Sequence, residues 1–235
     1  MPKRLQREID KLKKMILAEA AVVEESLRTA VEAVDERNPK LAKQVIDGDT
    51  EIDQMEVDLE EECLKILALY QPVAVDLRFI IAVLKINNDL ERIGDLCVNI
   101  AEDSQFLSER EKIEIPFDFP TMSEKVQAML RHALDALVNT DAPMAFSVCR
   151  GDDEVDDINR SMYDKVVEGI KKYPDKVAQL VRVMSVSRRL ERIADHCTSI
   201  AMDIIYMVEG EIVRHGKKHG KSYCETDTSP GPSDK

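Results

Sequence analysis

The chain has no tryptophan, 8 glycines among its 235 residues and 4% aromatic side chains. Sheet-rich folds lean on glycine at turns and on aromatics across pleated faces. Their scarcity, beside long apolar periodicities, predicts an all-α fold. Long apolar runs are also missing. The longest, Phe79 to Leu84, is far too short to span a bilayer, and the charged opening residues carry no apolar stretch of the kind a secretory signal needs. Membrane insertion is therefore not expected, and any membrane association is expected to be peripheral, through a partner. Cys63, Cys97, Cys149, Cys197 and Cys224 are odd in number and form no CxxC pair, which argues against a disulfide framework and for a reducing, cytoplasmic compartment. No Gly-rich phosphate loop, HExxH or G-x-S-x-G occurs. Positive charge is in deficit: 33 Lys and Arg stand against 46 Asp and Glu, and the net charge of -13 repels nucleic acid. The basic tract Lys3, Arg4, Arg7, Lys11, Lys13 and Lys14 alternates with Leu5, Ile9, Leu12 and Ile16 and reads as the wet face of a helix.

Apolar residues recur at Leu5, Ile9, Leu12, Ile16, Val23, Leu27, Ala30 and Val34, a four-and-three stepping that predicts a helix ending near Arg37-Asn38-Pro39. A second helix is expected from Lys40 to Tyr70. Asp47-Gly48-Asp49 leaves it open to interruption or a kink, because glycine inside a helix costs about 1 kcal/mol against alanine. Gln71-Pro72 ends it, and a third helix follows over Val73 to Gln105. Pro116 and Pro120 bracket Phe117 and Phe119 and mark residues 113–120 as a linker. The domain boundary is placed there, between a first three-helix bundle over residues 1–112 and a second over 121–215. Helices are expected over Thr121 to Asn139, Pro143 to Lys172 and Pro174 to Val213. Residues 216–235, rich in Lys, Ser, Gly, Pro and Asp with little to bury, are expected to be disordered.

The two halves repeat. Leu90-Glu91-Arg92-Ile93-Gly94-Asp95 returns one hundred residues later as Leu190-Glu191-Arg192-Ile193-Ala194-Asp195, and Cys97/Cys197, Ile100/Ile200 and Ala101/Ala201 keep the same offset. Upstream, Gly48 to Asp53 parallels Gly151 to Asp156. The architecture implied is two tandem three-helix bundles, six long antiparallel helices in all.

Each half carries two acid pairs spaced i, i+4: Asp49/Asp53 with Glu91/Asp95, and Asp152/Asp156 with Glu191/Asp195. Left bare, a like-charge pair at that spacing destabilises a helix by about 0.2–0.5 kcal/mol, so four of them invite a cation. Asp53 lies 19 residues before Pro72 and Glu91 lies 19 after it, while Asp156 lies 18 before Pro174 and Glu191 lies 17 after it. Helices folding back at those prolines would bring each DxxxD level with its ExxxD partner. All-oxygen ligands suit Mg, Mn, Ca or iron better than a thiolate-loving metal. The competing reading is that Arg92, Arg188 and Arg192 satisfy the acids as surface salt bridges. Asn88, Asn99 and Glu56 are further donors nearby, each read first as a helix-surface residue. His196 points about 100° away from Asp195 around the helix and is expected to pack or hydrogen-bond. His215 and His219 fall among Gly216 and Gly220, which disfavour the helix they would need. Cys97 and Cys197 fit small buried positions better than reactive thiols.

Pro72, Asp76-Leu77-Arg78, Lys85, Asn88, LERIGD and Asn99-Ile100-Ala101 resemble the first signature helix of PhoU proteins, and Arg188 with LERIADH resembles the second. The resemblance runs from Leu5 to about Arg214. It implies two similar three-helix bundles, with multinuclear metal clusters, of iron, Mn, Mg or Zn, at the E(D)xxxD motifs that map onto Asp49, Asp53, Glu91, Asp95, Asp152, Asp156, Glu191 and Asp195. It further implies a non-enzymatic negative regulator of phosphate uptake and of phosphate-starvation signalling, acting through the phosphate ABC transporter ATPase and a sensor histidine kinase. A homodimer is expected because long amphipathic helices leave apolar stripes for a second copy. The second half lacks a counterpart of Asp76-Leu77-Arg78, so the two sites need not be equivalent. Two other classes compete. A ferritin-like di-metal enzyme needs Glu-x-x-His on two helices, and the chain contains none; a metal-free helical adaptor needs only the salt bridges.

Overall fold

The computed structural model of the chain describes residues 3–113 and 119–210 together with the residue pairs 217–218 and 221–222. Helix α1 (Lys3–Glu36) buries the stepping read from the sequence, Leu5, Ile9, Leu12, Ile16, Val23, Leu27, Ala30 and Val34. Arg37 takes a left-handed φ of 54°, and Asn38 then caps α2 (Pro39–Tyr70) by accepting the Lys40 N–H, with Pro39 in the first turn, where no N–H is missed. Helix α2 runs unbroken through Gly48. Nothing lies within 4 Å of a Cβ built at Gly48, and the glycine penalty is outweighed by burial of Val45, Ile52, Leu59 and Ile66 along the same helix.

The left-handed Gln71 (φ 47°) closes α2 and Pro72 separates it from α3 (Ala74–Ser108). Helix α4 (Phe119–Asn139) begins two residues earlier than expected, taking Phe119 and Pro120 into its first turn, because Phe119 is buried there. Asp141 caps α5 (Ala142–Lys172) by accepting the Met144 N–H. A short 3-10 turn at Pro174–Lys176 leads into α6 (Val177–Glu209), which stops at the left-handed Gly210 (φ 74°) rather than at Val213. The expected linker core 114–118 and most of the tail lie outside the described residues, apart from Lys217–Lys218 paired antiparallel with Lys221–Ser222. Among the described residues, no helix is long and apolar enough to cross a membrane.

Helices α1, α2 and α3 pack on one another, as do α4, α5 and α6, and the two sets meet chiefly along α3 and α6, with α1 also touching α4. The α3–α6 joint is antiparallel and carries its own charges. Asp103 on α3 is fully buried against Arg182 (2.6 Å) and Arg189 of α6, Lys85 of α3 reaches the buried Asp203 of α6 (3.2 Å), and His196 Nδ1 lies 2.9 Å from Asp89 between them.

Candidate functional site

In the first half the acid pairs come together where α2 faces α3. A Cβ on Gly94 would stand 3.2 Å from Ile52 Cδ1 and 3.8 Å from Asp49 Oδ1, so glycine at this one position lets α2 close on α3 beside the acids. Asp49 is held above the ordinary carboxylate range by burial and then by Asp53 and Asp95, and Glu91 by burial and then by Asp95, with Glu56 and Asp53 adding to it. The α2 pair and the α3 pair therefore lie near one another, at the common level that their distances to Pro72 implied. Arg92 answers part of this charge, 3.4 Å from Glu91 and 3.1 Å from Asp95. Asn99 donates to the Asp95 carbonyl (2.6 Å) and so serves its own helix.

Glu19, which periodicity did not single out, stands behind this cluster. It sits on α1 in the apolar seam between Ile16 and Val23, fully buried, and neither carboxyl oxygen has a hydrogen-bond partner. Burial, then Glu56 and Glu91, push its pKa up to about 8. Its only signal in the sequence is one charged residue on the buried stripe of α1. The offset from Pro39 to Pro143 places Ser123 at the equivalent position of the second half, so the extra acid is not repeated.

In the second half Asp152 is pushed up to about 6 by burial, then by Asp195, Asp156, Asp153 and Glu191. Glu191 is raised by burial and by Asp195 and Asp156, against which Arg188 and Arg192 pull it down. Asp195 is raised by burial and by Asp156. Arg160 lies 3.1 Å from Asp157 and 3.9 Å from Asp156. His196 turns away from the acids toward Asp89, as its helical position implied. All eight sequence-selected acids thus fall into two clusters of four, one per half. As the side chains stand, no three His, Cys, Asp or Glu among the described residues close tightly enough to hold a metal ion. The composition of the clusters nevertheless fits a hard cation: the donors are all oxygen, and both oxygens of Glu19 are buried without a donor. Asp49, Asp53, Glu91 and Asp95, with Glu56 and Glu19 behind them, are the residues that would hold it in the first half. Asp152, Asp156, Glu191 and Asp195 are those of the second.

Cys97 and Cys197 lie buried, two residues after Asp95 and Asp195 respectively. Burial raises both thiols, Cys97 to about 12, which leaves them as packing groups rather than ligands or nucleophiles.

The family model described as "PhoU domain" matches residues 16–104 and again 119–204, one match per half. A protein of Aquifex aeolicus named phosphate-specific transport system accessory protein PhoU homolog is 36% identical over 90% of this chain and 96% of its own length. The homolog 1 of the same name from Thermotoga maritima is 34% identical over 88% and 89%. The crystal structure of PhoU from Pseudomonas aeruginosa superposes with a TM-score of 0.85 at 35% identity, covering 88% of this chain and 99% of that one. With the doubled motif, six helices in the same arrangement and similarity over nearly its whole described length, the chain belongs to the PhoU family.

Proposed function

We propose that this chain is a non-catalytic regulator of phosphate import whose two acid clusters bind divalent or trivalent cations and whose cation-loaded form restrains phosphate uptake and phosphate-starvation signalling. The partners in this reading are the phosphate ABC transporter ATPase and its sensor histidine kinase, engaged by a cytoplasmic homodimer held at the membrane through them. The observation that carries it is the doubled cluster itself: eight acids from four helices brought together in pairs of pairs, on a chain whose relatives are named as accessory proteins of a phosphate-specific transport system. No Glu-x-x-His accompanies the acids in the sequence, which supports binding over di-metal turnover.

The test is complementation of a strain lacking the protein. Wild type is expected to restore repression of phosphate uptake and of a starvation reporter in phosphate-rich medium, and a Glu91→Ala/Asp95→Ala/Glu191→Ala/Asp195→Ala protein is expected to fail while folding normally. Full repression by that variant would leave the acids without a regulatory role. A second reading is the metal-free adaptor, favoured by Arg92 bridging Glu91 and Asp95 within one helix. Elemental analysis of protein purified without chelator separates the two, since the adaptor carries no stoichiometric metal.

A further inference from the structure

The two clusters share their four motif acids but not their surroundings. Counting from the equivalent pairs Asp49/Asp152 and Glu91/Glu191, Glu56, Val57 and Glu60 of α2 are replaced by Asn159, Arg160 and Tyr163 on α5, and Asn88 of α3 by Arg188 on α6. Arg92 and Arg192 are common to both. Around its four acids the first half therefore has Glu56, Glu60 and one guanidinium, whereas the second has Asp153, Asp157 and three guanidiniums, so the formal charge rises from -5 to -3.

Those replacements line a cleft of about 510 Å³ between α5 and α6, with Glu191 and Asp195 along its edge. Arg188 and Arg192 stand on successive turns of α6. Both pull on Glu191, yet among the described residues neither closes a salt bridge, while Arg160 lines the cleft from α5 beside Asp157 (3.1 Å) and Asp156 (3.9 Å) of its own helix. Asn159 accepts the Ser187 hydroxyl at 2.8 Å through Oδ1, which orients its amide nitrogen as a donor. The Tyr163 hydroxyl adds another donor on an exposed ring. Guanidiniums match the paired oxygens of a tetrahedral oxyanion in a way ammonium groups do not. Glu191 and Asp195 would repel a dianion on their own. A divalent cation on those carboxylates reverses the sign, since magnesium in particular is commonly shared between one or two carboxylates and a phosphate.

We infer that the cleft of the second half is a binding site for a phosphoryl oxyanion, free inorganic phosphate, held by Arg160, Arg188 and Arg192 against a cation on the neighbouring acids, while the first half takes cations alone. This rests on the proposal that the acid clusters bind cations.

The test titrates the full chain with inorganic phosphate by calorimetry, in saturating Mg²⁺ and in chelator, with Mg²⁺ uptake measured separately by equilibrium dialysis. One phosphate per chain is expected in Mg²⁺, with affinity at least about tenfold weaker in chelator. Arg160→Ala/Arg188→Ala is expected to weaken phosphate by about tenfold or more while Mg²⁺ uptake and helicity stay unchanged. Val57→Ala/Glu60→Ala, at the first-half positions equivalent to Arg160 and Tyr163, is expected to leave phosphate binding as it was. Glycerol phosphate in a parallel titration is expected to bind more weakly; tighter binding of the ester would overturn the assignment to the free ion. Mg²⁺ uptake without phosphate binding, two phosphates per chain, or binding indifferent to the arginines overturns the inference and leaves the cation reading standing. Arginine-dependent phosphate binding with no Mg²⁺ uptake does the opposite.

Discussion

Asp103 and Asp203 occupy the same position of the two repeats, both are buried in the joint between the halves, and each takes its counter-charge from the other half. Asp103 is met by Arg182 and Arg189 of α6, and Asp203 by Lys85 of α3. The joint is thus held by reciprocal ion pairs whose acids are out of water, where an uncompensated charge is expensive.

Removing one of these acids should therefore cost far more than removing a surface partner. Asp103→Ala is expected to destabilise the chain by about 3 kcal/mol, read from the urea midpoint, because Arg189 stays largely buried with nothing to face. Lys43→Ala, which breaks an exposed pair with Asp47, is expected to leave the midpoint where it was.

The acid clusters should behave as two separate cation sites. Elemental analysis after chelator-free purification is expected to show that Glu91→Ala/Asp95→Ala removes the metal of the first half alone, and Glu191→Ala/Asp195→Ala that of the second. If either pair emptied both halves, the clusters would not be independent ligands.

Glu19 gives the first half a pH dependence. Its folded pKa of about 8 lies above its unfolded value near 4.5, so the folded state binds the extra proton, and stability is lost progressively as pH rises from about 4.5 through about 8. In chelator, Glu19→Gln, which imitates the protonated form, is expected to flatten that fall and to gain on the order of 2 kcal/mol at pH 8.5. A cation bound by the cluster should flatten the wild-type profile as well, because it takes the place of the proton. Equal slopes for wild type and variant in chelator would mean that Glu19 is ionised across the range.

Cys63, Cys97, Cys149 and Cys197 are buried, and burial raises the thiols of Cys63, Cys97 and Cys197. None of the four should be alkylated in native protein at pH 8, as read by peptide mass mapping, and all four should react after denaturation. Native labelling of Cys97 or Cys197 would place these thiols in contact with solvent.

Much of this architecture was legible because helices end for local reasons. Asn38-Pro39, Gln71-Pro72 and Asp141 with Pro143 each mark a boundary by their own backbone chemistry, and the motif spacing about Pro72 and Pro174 then levelled the acids without any knowledge of tertiary structure. The weak point at Gly48 did not break α2, because packing of the helix on its neighbours outweighs one residue's propensity. Glu19, Asp103 and Asp203 were not legible. An acid in an apolar seam looks the same in sequence whether it is wet, paired or orphaned, and only the approach of α1 to Glu56 and Glu91, or of α3 to α6, decides which. The α3–α6 joint had a faint trace, since Asp103 and Asp203 keep the hundred-residue offset of the motif.

Helices α3 and α6 bear the site acids Glu91, Asp95, Glu191 and Asp195 and also the charges that lock them to each other. The joint pairs of Lys85, Asp89 and Asp103 with α6 tie the two acid-bearing helices together. The two halves are therefore not two gauges read side by side. They are mounted on one axle, the α3–α6 joint.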